Sequence, residues 1–293
     1  MSTTKKLGTN YVVARNTGSF GAPTFPLLNI AEDIKLTVEP SGKFDSSDRS
    51  GSGNTTIPTR YKVSANFKAL WDGSTGLTAF RTAFLAGTSI LAGVFDGATS
   101  GRGLHGEWAV TSFSPDFPLA AGQPLDITLQ PHGNYTNAMI FTTALATTGS
   151  DATGTKKLGT NASINDSGGT PMTFMQDIKF SIEPGALFDS SDRSVAIDTV
   201  IPCRFKYGAT AKFIWDPATS ANLAFWTAVT TGAAIELFIL DGAYATTGSW
   251  GIHSDWCVTA FNLDAPLQSG QMIDVSLEPH GNGATAPVLV TRP

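Results

Sequence analysis

Residues 60–71 read RYKVSANFKALW, and the period of that stretch is two: Tyr61, Val63, Ala65, Phe67 and Ala69 fall on one face, Lys62, Ser64, Asn66 and Lys68 on the other. Successive side chains of an extended strand point to opposite sides, so this alternation predicts a β-strand with one face buried and one in water. Residues 204–215, RFKYGATAKFIW, repeat the pattern, with Phe205, Tyr207, Ala209, Ala211 and Phe213 opposite Lys206 and Lys212. Further strands are predicted at 33–39 (DIKLTVE) and 177–183 (DIKFSIE), 107–113 (EWAVTSF) and 255–261 (DWCVTAF), and 124–129 (PLDITL) and 272–277 (MIDVSL). Every predicted strand comes with a second copy of itself.

The copies keep their order. TKKLGTN occupies 4–10 and 155–161, FDSSDRS 44–50 and 188–194, and PHGN 131–134 and 279–282, joined by diverged stretches such as SILAGVF at 89–95 against AIELFIL at 234–240. Conserved islands in a diverged background mark a fused pair of equivalent domains, not low-complexity repetition. The small polar run ATTGSDATG at 146–154 reads as a joint, giving a first domain over 1–146, a linker over 147–154 and a second domain over 155–293. Each half falls near the usual domain size of roughly 100–150 residues. One segment per half departs from the period of two: Leu77, Phe80 and Phe84 recur at helical spacing before Gly87, and Phe225 and Val229 before Gly232, which predicts one short amphipathic helix closed by a C-terminal glycine. Polar excursions at 44–59 and 188–201 exceed the needs of a tight hairpin. The expected architecture is mainly β: two tandem β-sandwich or barrel domains, each with one short α-helix and one long polar loop.

Composition removes several function classes. With 41% hydrophobic and 15% charged residues the 293-residue chain is neither disordered nor a solvating tail. A formal net charge of -5 argues against a basic nucleic-acid grip, because Lys and Arg contacts to phosphate supply most of that affinity. The opening MSTTKKLGTN lacks the apolar core of a secretory signal and no stretch approaches the roughly 18 apolar residues of a membrane span, so a soluble protein made in a cytoplasm is expected. Cys203 and Cys257 stand where the first copy has Thr59 and Ala109, which argues against a disulfide framework.

Chemistry-bearing residues read mostly as structure. The histidines are duplicated, His105 with His253 and His132 with His280, without the three or four converging donors of a metal site; no metal and no cofactor are assigned. DSSDRS lacks the ligand alternation of a calcium loop, and its Ser and Asp side chains suit local turns, with Arg49 and Arg193 pairing carboxylates. Trp71 with Trp215 and Trp108 with Trp256 read as core anchors, whereas Trp226 and Trp250 have no tryptophan counterpart and are candidates for a surface contact. No catalytic fingerprint is present. Nine acidic positions are acidic in both copies, 18 of the 24 carboxylates, and the Glu107/Asp255 pair keeps charge while changing length, which suits a field better than one hydrogen bond.

The late strand pair is the most specific pattern: WAVTSF (108–113), PL, AGQ and DITLQPHG (126–133) recur as WCVTAF (256–261), PL, SGQ and DVSLEPHG (274–281). Together with the basic arm, DIKLTVEP, the long polar loop, the alternating strand and the short helix, it resembles the tail tube proteins of long-tailed bacteriophages. The resemblance covers nearly the whole chain, once per half. It implies a non-enzymatic virion protein, assembled in the host cytoplasm, that forms rings stacked into a tube. A duplicated chain implies homotrimeric rings with pseudo-sixfold symmetry. The implied partners are further copies of itself, a tape measure protein in the lumen, tail tip and tail terminator proteins, and double-stranded DNA that passes without specific binding. Glu107, Asp126, Asp255 and Asp274 are the candidate lumen carboxylates. Lys5, Lys6, Phe44, Asp45, Asp48, Arg49, Lys156, Lys157, Phe188, Asp189, Asp192 and Arg193 are the candidate inter-subunit or ring-to-ring contacts. The rival readings are a tandem carbohydrate-binding or adhesive β-sandwich using Trp226, Trp250 and Tyr244, and a hydrolase centred on His253 and Asp255.

Overall fold

The computed structural model describes residues 11–28, 30–45, 56–151, 156–173, 175–191, 197–216, 219–264 and 271–292. Along the chain run β1 (Val12–Arg15), β2 (Phe25–Leu27), β3 (Ile30–Asp45), β4 (Thr56–Leu70), α1 (Thr75–Ala86), β5 (Ile90–Phe95), β6 (Gly101–Pro118), β7 (Pro124–Pro131), β8 (Ile140–Leu145), β9 (Thr147–Ser150), β10 (Ser163–Asp166), β11 (Met175–Asp189), β12 (Val200–Ile214), α2 (Ser220–Thr231), β13 (Ile235–Leu240), β14 (Trp250–Asp264), β15 (Met272–Pro279) and β16 (Val288–Thr291). The protein is mainly β and largely antiparallel, as the alternation requires. No described helix is long and apolar enough to cross a membrane.

Two compact units emerge. Unit 1 comprises Met1–Phe113, Asp126–Thr155 and Pro184–Phe205; unit 2 comprises Ser114–Leu125, Lys156–Glu183 and Lys206–Pro293. Each unit therefore contains one segment from the opposite half of the sequence.

In unit 1, β5 pairs antiparallel with β1, Val13 opposite Val94, and with β6, Ile90 opposite Trp108. The long β3–β4 hairpin sets Val38 opposite Val63 and still pairs Phe44 with Ile57 and Asp45 with Thr56. The two ends of the predicted excursion at 44–59, residues 44–45 and 56–59, are thus strand, because a ladder satisfies backbone groups whatever the polarity of the side chains; residues 46–55 lie outside the described residues. Residues 147–150 of the predicted linker form β9, which lies parallel to β2, and Asp151 accepts from the Arg15 guanidinium. The segment contributed from the second half is fastened to β4 and the PHGN turn. Asp198 N–H donates to Tyr61 O at 2.8 Å and Gly133 N–H to Val200 O at 3.0 Å, while Arg60 pairs with Asp198 at 2.9 Å. Its last residue, Phe205, sets its ring 4.8 Å from that of Phe84 on α1.

Unit 2 repeats the plan. β13 pairs with β10, Ile164 opposite Ile239, and with β14, Ile235 opposite Trp256. β15 lies between β14 and β12, with Phe213 opposite Ile273, and β11 follows β12. The segment contributed from the first half brings the Phe117 ring to 5.5 Å from Phe180. Leu119 N–H donates to the Asp177 carboxylate at 3.1 Å, and Gly159 N–H donates to Ala121 O at 2.8 Å.

Of the predicted core anchors, Trp71, Trp108 and Trp256 are buried, whereas Trp215 is only half-buried. Trp108 and Trp256 are fully buried, and each indole N–H reaches a carbonyl at the corresponding place on the neighbouring strand, Ala92 O at 3.0 Å and Leu237 O at 3.3 Å. Both helices end on a left-handed glycine, Gly87 at φ 62 and Gly232 at φ 70, a conformation that costs glycine nothing. Leu77, Phe80 and Phe84 are buried on α1 as expected. On α2 the expectation holds for Phe225 but not for Val229, which is exposed; Ala228 is buried instead. The missing cover is a ring, since Val229 has the place of Phe84 and Phe84 is covered by Phe205.

Gly103 and Gly251 occupy matching positions opposite Phe95 and Leu240. A Cβ at either would collide with a backbone carbonyl, of Val94 or of Ile239. Gly103→Ala and Gly251→Ala should each lower unfolding free energy by about 1–3 kcal/mol, read by chemical denaturation.

Candidate functional site: a polar sheet face and its braced turns

The water-facing side of β4 and β7 in unit 1 is built by alternation. Lys68 Nζ lies 3.8 Å from the Asp126 carboxylate, and Thr128 donates to Asn66 Oδ1 at 2.8 Å. Unit 2 has the same arrangement on β12 and β15, with Lys212 3.9 Å from Asp274 and Lys206 4.0 Å from Glu278. A shallow groove of 440 Å³ runs along this face, lined by Lys179, Ser181, Glu183, Lys206, Thr210 and Glu278. Solvent-exposed pairs of this length contribute little to stability. They do set the character of the surface, on which Lys68 stands beside Asp126, Lys212 beside Asp274 and Lys206 beside Glu278.

Asp126 and Asp274, the sequence-nominated carboxylates on this face, are about half exposed. Glu107 and Asp255 have a different job. Both are buried. Glu107 accepts from Ser89 Oγ at 2.7 Å, Thr136 N–H at 3.1 Å, Asn137 N–H at 2.8 Å and Asn137 Nδ2 at 2.9 Å, while Asp255 accepts from Thr285 N–H at 2.8 Å. Each clamps the loop that follows PHGN. Burial pushes the Glu107 carboxyl up, but the bonds from Ser89, Asn137 and Thr136 together outweigh it and hold the group below its ordinary value. The change from Glu to Asp goes with a shorter clamp, not with a field.

The PHGN histidines finish the brace. His132 Nε2 lies 3.3 Å from the carbonyl of the helix-capping Gly87, and its Nδ1 accepts from Asn134 N–H at 3.1 Å. His280 does the same with Gly232 O at 3.3 Å and Asn282 N–H at 3.2 Å. The required tautomer follows from those bonds, Nε2 protonated and Nδ1 free to accept. His105 and His253 are not interchangeable. His105 stacks on Phe20 at 4.7 Å, and burial lowers its pKa. His253 lies 2.8 Å from Glu236 and stacks on Phe238 at 3.8 Å. No cluster able to hold a metal ion occurs among the described residues, and Cys203 and Cys257 are both free thiols.

Of the nominated contact residues, Lys5, Lys6, Asp48, Arg49, Asp192 and Arg193 lie outside the described residues, and Phe44 and Asp45 are placed as the end of β3. Phe188, Asp189 and Lys156 are exposed. A hydrogen bond from Ser191 holds the Asp189 carboxyl below its usual range. Lys157 is occupied within unit 2, 2.5 Å from the fully buried Asp241. Sequence reading passed over Gln123, which is buried and donates to Leu158 O at 3.0 Å and Asp241 O at 2.9 Å; the repeated AGQ and SGQ turns were its only signal. Of the unmatched aromatics, Trp226 is 47% exposed beside Trp215 and Phe261. Trp250, expected at the surface, is only 2% exposed, because β14 turns it inward onto Phe180 at 5.5 Å. Tyr244 is half-buried beneath the Arg292 guanidinium at 3.7 Å.

No protein-family model matches the chain, and no curated protein does. Among solved structures, it is similar to a chain of the virion of a native gene transfer agent particle, at 8% identity and TM-score 0.38 over 46% of this chain and 99% of that one. It is similar also to the SPP1 tail tube, solved by solid-state NMR and cryo-EM, at 10% identity and TM-score 0.37 over 46% of this chain and 79% of that one. Likenesses of this size carry no argument about this chain.

Glu107→Ala strips the acceptor from two backbone N–H groups and should cost about 1–3 kcal/mol, with hydrogen exchange at Thr136 and Asn137 rising before global unfolding. Because the folded pKa of His105 lies below 6.5, the unfolded chain takes up its proton first. Its contribution is complete above 6.5 and shrinks as pH falls toward the lowered folded value. Thermal melts should therefore lose midpoint on acidification below 6.5, and His105→Phe should flatten that loss.

Proposed function

We propose that this chain is a structural virion protein that assembles into stacked rings forming a phage tail tube, a passive conduit for double-stranded DNA. The observation that carries the reading is that one construction occurs twice. The late strand pair, whose sequence resembles the tube family, is locked in each copy by the same brace, Glu107 with His132 and Gly87, then Asp255 with His280 and Gly232. Two near-equivalent modules in one chain are what a ring needs when each chain fills two adjacent places. Fusing them, as a first domain over 1–146 and a second over 155–293, makes every other contact intramolecular, at an effective concentration on the order of millimolar. Homotrimers then close a pseudo-sixfold ring.

The mixed-charge face with Lys68–Asp126 and Lys212–Asp274 is the proposed lumen wall. Each carboxylate there offsets a lysine and repels phosphate within about one Debye length, roughly 8 Å at physiological salt, so DNA meets a wet wall that does not hold it. Glu107 and Asp255 contribute by fixing the turns. Lys156, Phe188 and Asp189 are the described candidates for stacking one ring on the next. A tape measure protein in the lumen and tail tip and terminator proteins at the ends complete the assembly in the host cytoplasm. Nothing in this role calls for catalysis or a cofactor.

Negative-stain microscopy of the concentrated protein should show rings or tubes of uniform diameter; a dispersed monomer that binds glycans would instead establish the carbohydrate-binding reading. In particles that still form normal tubes, Asp126→Lys with Asp274→Lys should slow genome ejection and make it salt-dependent, measured by DNA release. Unchanged ejection at all salt concentrations would remove these two residues from the lumen.

A further inference from the structure

The two copies of the repeat differ in what covers them, and the difference has a direction. On β11 the alternating face Ile178, Phe180 and Ile182 is buried; within unit 2 the end of β6 occupies its edge, and the Phe117 and Trp250 rings lie 5.5 Å from Phe180. On β3 the same face is less covered, with Ile34 and Leu36 half-buried and Val38 38% exposed, and β3 stands at the end of the strand order. The covering element shows the reverse. Phe113, Ser114 and Pro115 at the end of β6 are buried, whereas of their counterparts at the end of β14 Phe261 is half-buried and Asn262 and Leu263 are exposed, Leu263 at 52%. Among the described residues β14 has no partner beyond Trp256 on the side away from β15, since its pairing with β13 stops there.

A second asymmetry has the same sense. In unit 1, Phe205 covers Phe84 on α1. In unit 2, Val229 occupies the place of Phe84 and is exposed, alongside Leu223 and Trp226, and the counterpart of Phe205 is Tyr61. Each less-covered surface thus corresponds to one that the chain covers with its own other half.

This inference rests on the tube reading and names its contact. We propose that the end of β14, residues 259–264 of one copy, docks antiparallel along β3 of a second copy, while Tyr61 of that second copy closes over Val229 and Trp226 of the first. The internal pairing supplies the register. Phe117 meets Phe180 and Leu119 meets Asp177, so one strand number rises as the other falls, and Pro115 comes level with Ile182. Shifted to the corresponding places, Leu263 of one copy faces Val38 of the next. The contact is head-to-tail, with different surfaces on the two copies, so it repeats until the rotation closes a ring. It also occupies the edge of a long strand that would otherwise template non-specific pairing. The aromatic patch around Trp226 is then an assembly surface and not a glycan platform.

The test uses the whole chain with Cys203→Thr and Cys257→Ala, which install the residues of the first copy. One preparation carries Val38→Cys, another Leu263→Cys. Mild oxidation of the mixture should give cross-linked dimer, and the double variant a ladder ending at the ring size, while either single variant alone stays uncross-linked. Leu263→Lys, on a side chain already exposed in the isolated chain, should leave the melting temperature unchanged and abolish assembly. If rings form but the mixture yields no cross-link above the single variants, this interface is wrong and the tube reading stands. Cross-links without rings would keep the interface and sink the tube reading. A monomer that neither assembles nor cross-links at high concentration overturns both.

Discussion

An alternating strand must bury one face and occupy its edges, and each half of this sequence does so partly with residues of the other. Phe180 is covered by Phe117 from the other half of the chain together with Trp250 from its own. Phe84 is covered by Phe205 from the other half together with Phe113 from its own. At about 1.5–3 kcal/mol for each large apolar side chain removed from water, these exchanged segments are part of the cores of the units and not decoration on them. The same requirement applied to β3 and α2, where Val38, Leu223, Trp226 and Val229 are exposed, underlies the proposed assembly.

Rigidity is supplied by polar groups that burial makes expensive to leave unpaired. The Glu107 and Asp255 carboxylates gather the N–H groups of the loop after PHGN, and the His132 and His280 rings tie that turn to the carbonyl of the glycine ending each helix. Helix, turn and late strand pair are thereby fixed to one another in both copies. In the proposed assembly, a surface that registers against identical neighbours would need this, because a loose turn would blur the angle at which one copy meets the next. The exposed Lys–Asp pairs on the sheet face add little to stability and act through the character of the surface.

The fold was legible because period two survives in each copy and because Gly87 and Gly232 punctuate the helices; one buried face and one wet face leave that signature in any sequence. The site was legible only in part. Asp126 and Asp274 lie half-exposed on the polar face, but Glu107 and Asp255 look identical to them in sequence and are buried clamps. Alternation assigns a side of a strand, not what packs on that side from elsewhere. Trp250 and Val229 were misjudged for the same reason, one covered by Phe180 and the other lacking the ring that covers its counterpart. Gln123 left almost no trace, since a single glutamine in a turn carries no periodicity.

What the amino-acid sequence determined by itself is local: which stretches are strands, where each helix stops, and that TKKLGTN, FDSSDRS and PHGN recur in the same order. These follow from backbone geometry and the spacing of apolar residues, which near neighbours in the chain are enough to express. Only the tertiary structure decided that Ser114–Leu125 belongs with unit 2 and Pro184–Phe205 with unit 1. Two halves with the same pattern offer each segment two equivalent surfaces to cover. Which one it takes depends on the reach of the chain and on packing between residues far apart in sequence, and neither is recorded in any local pattern.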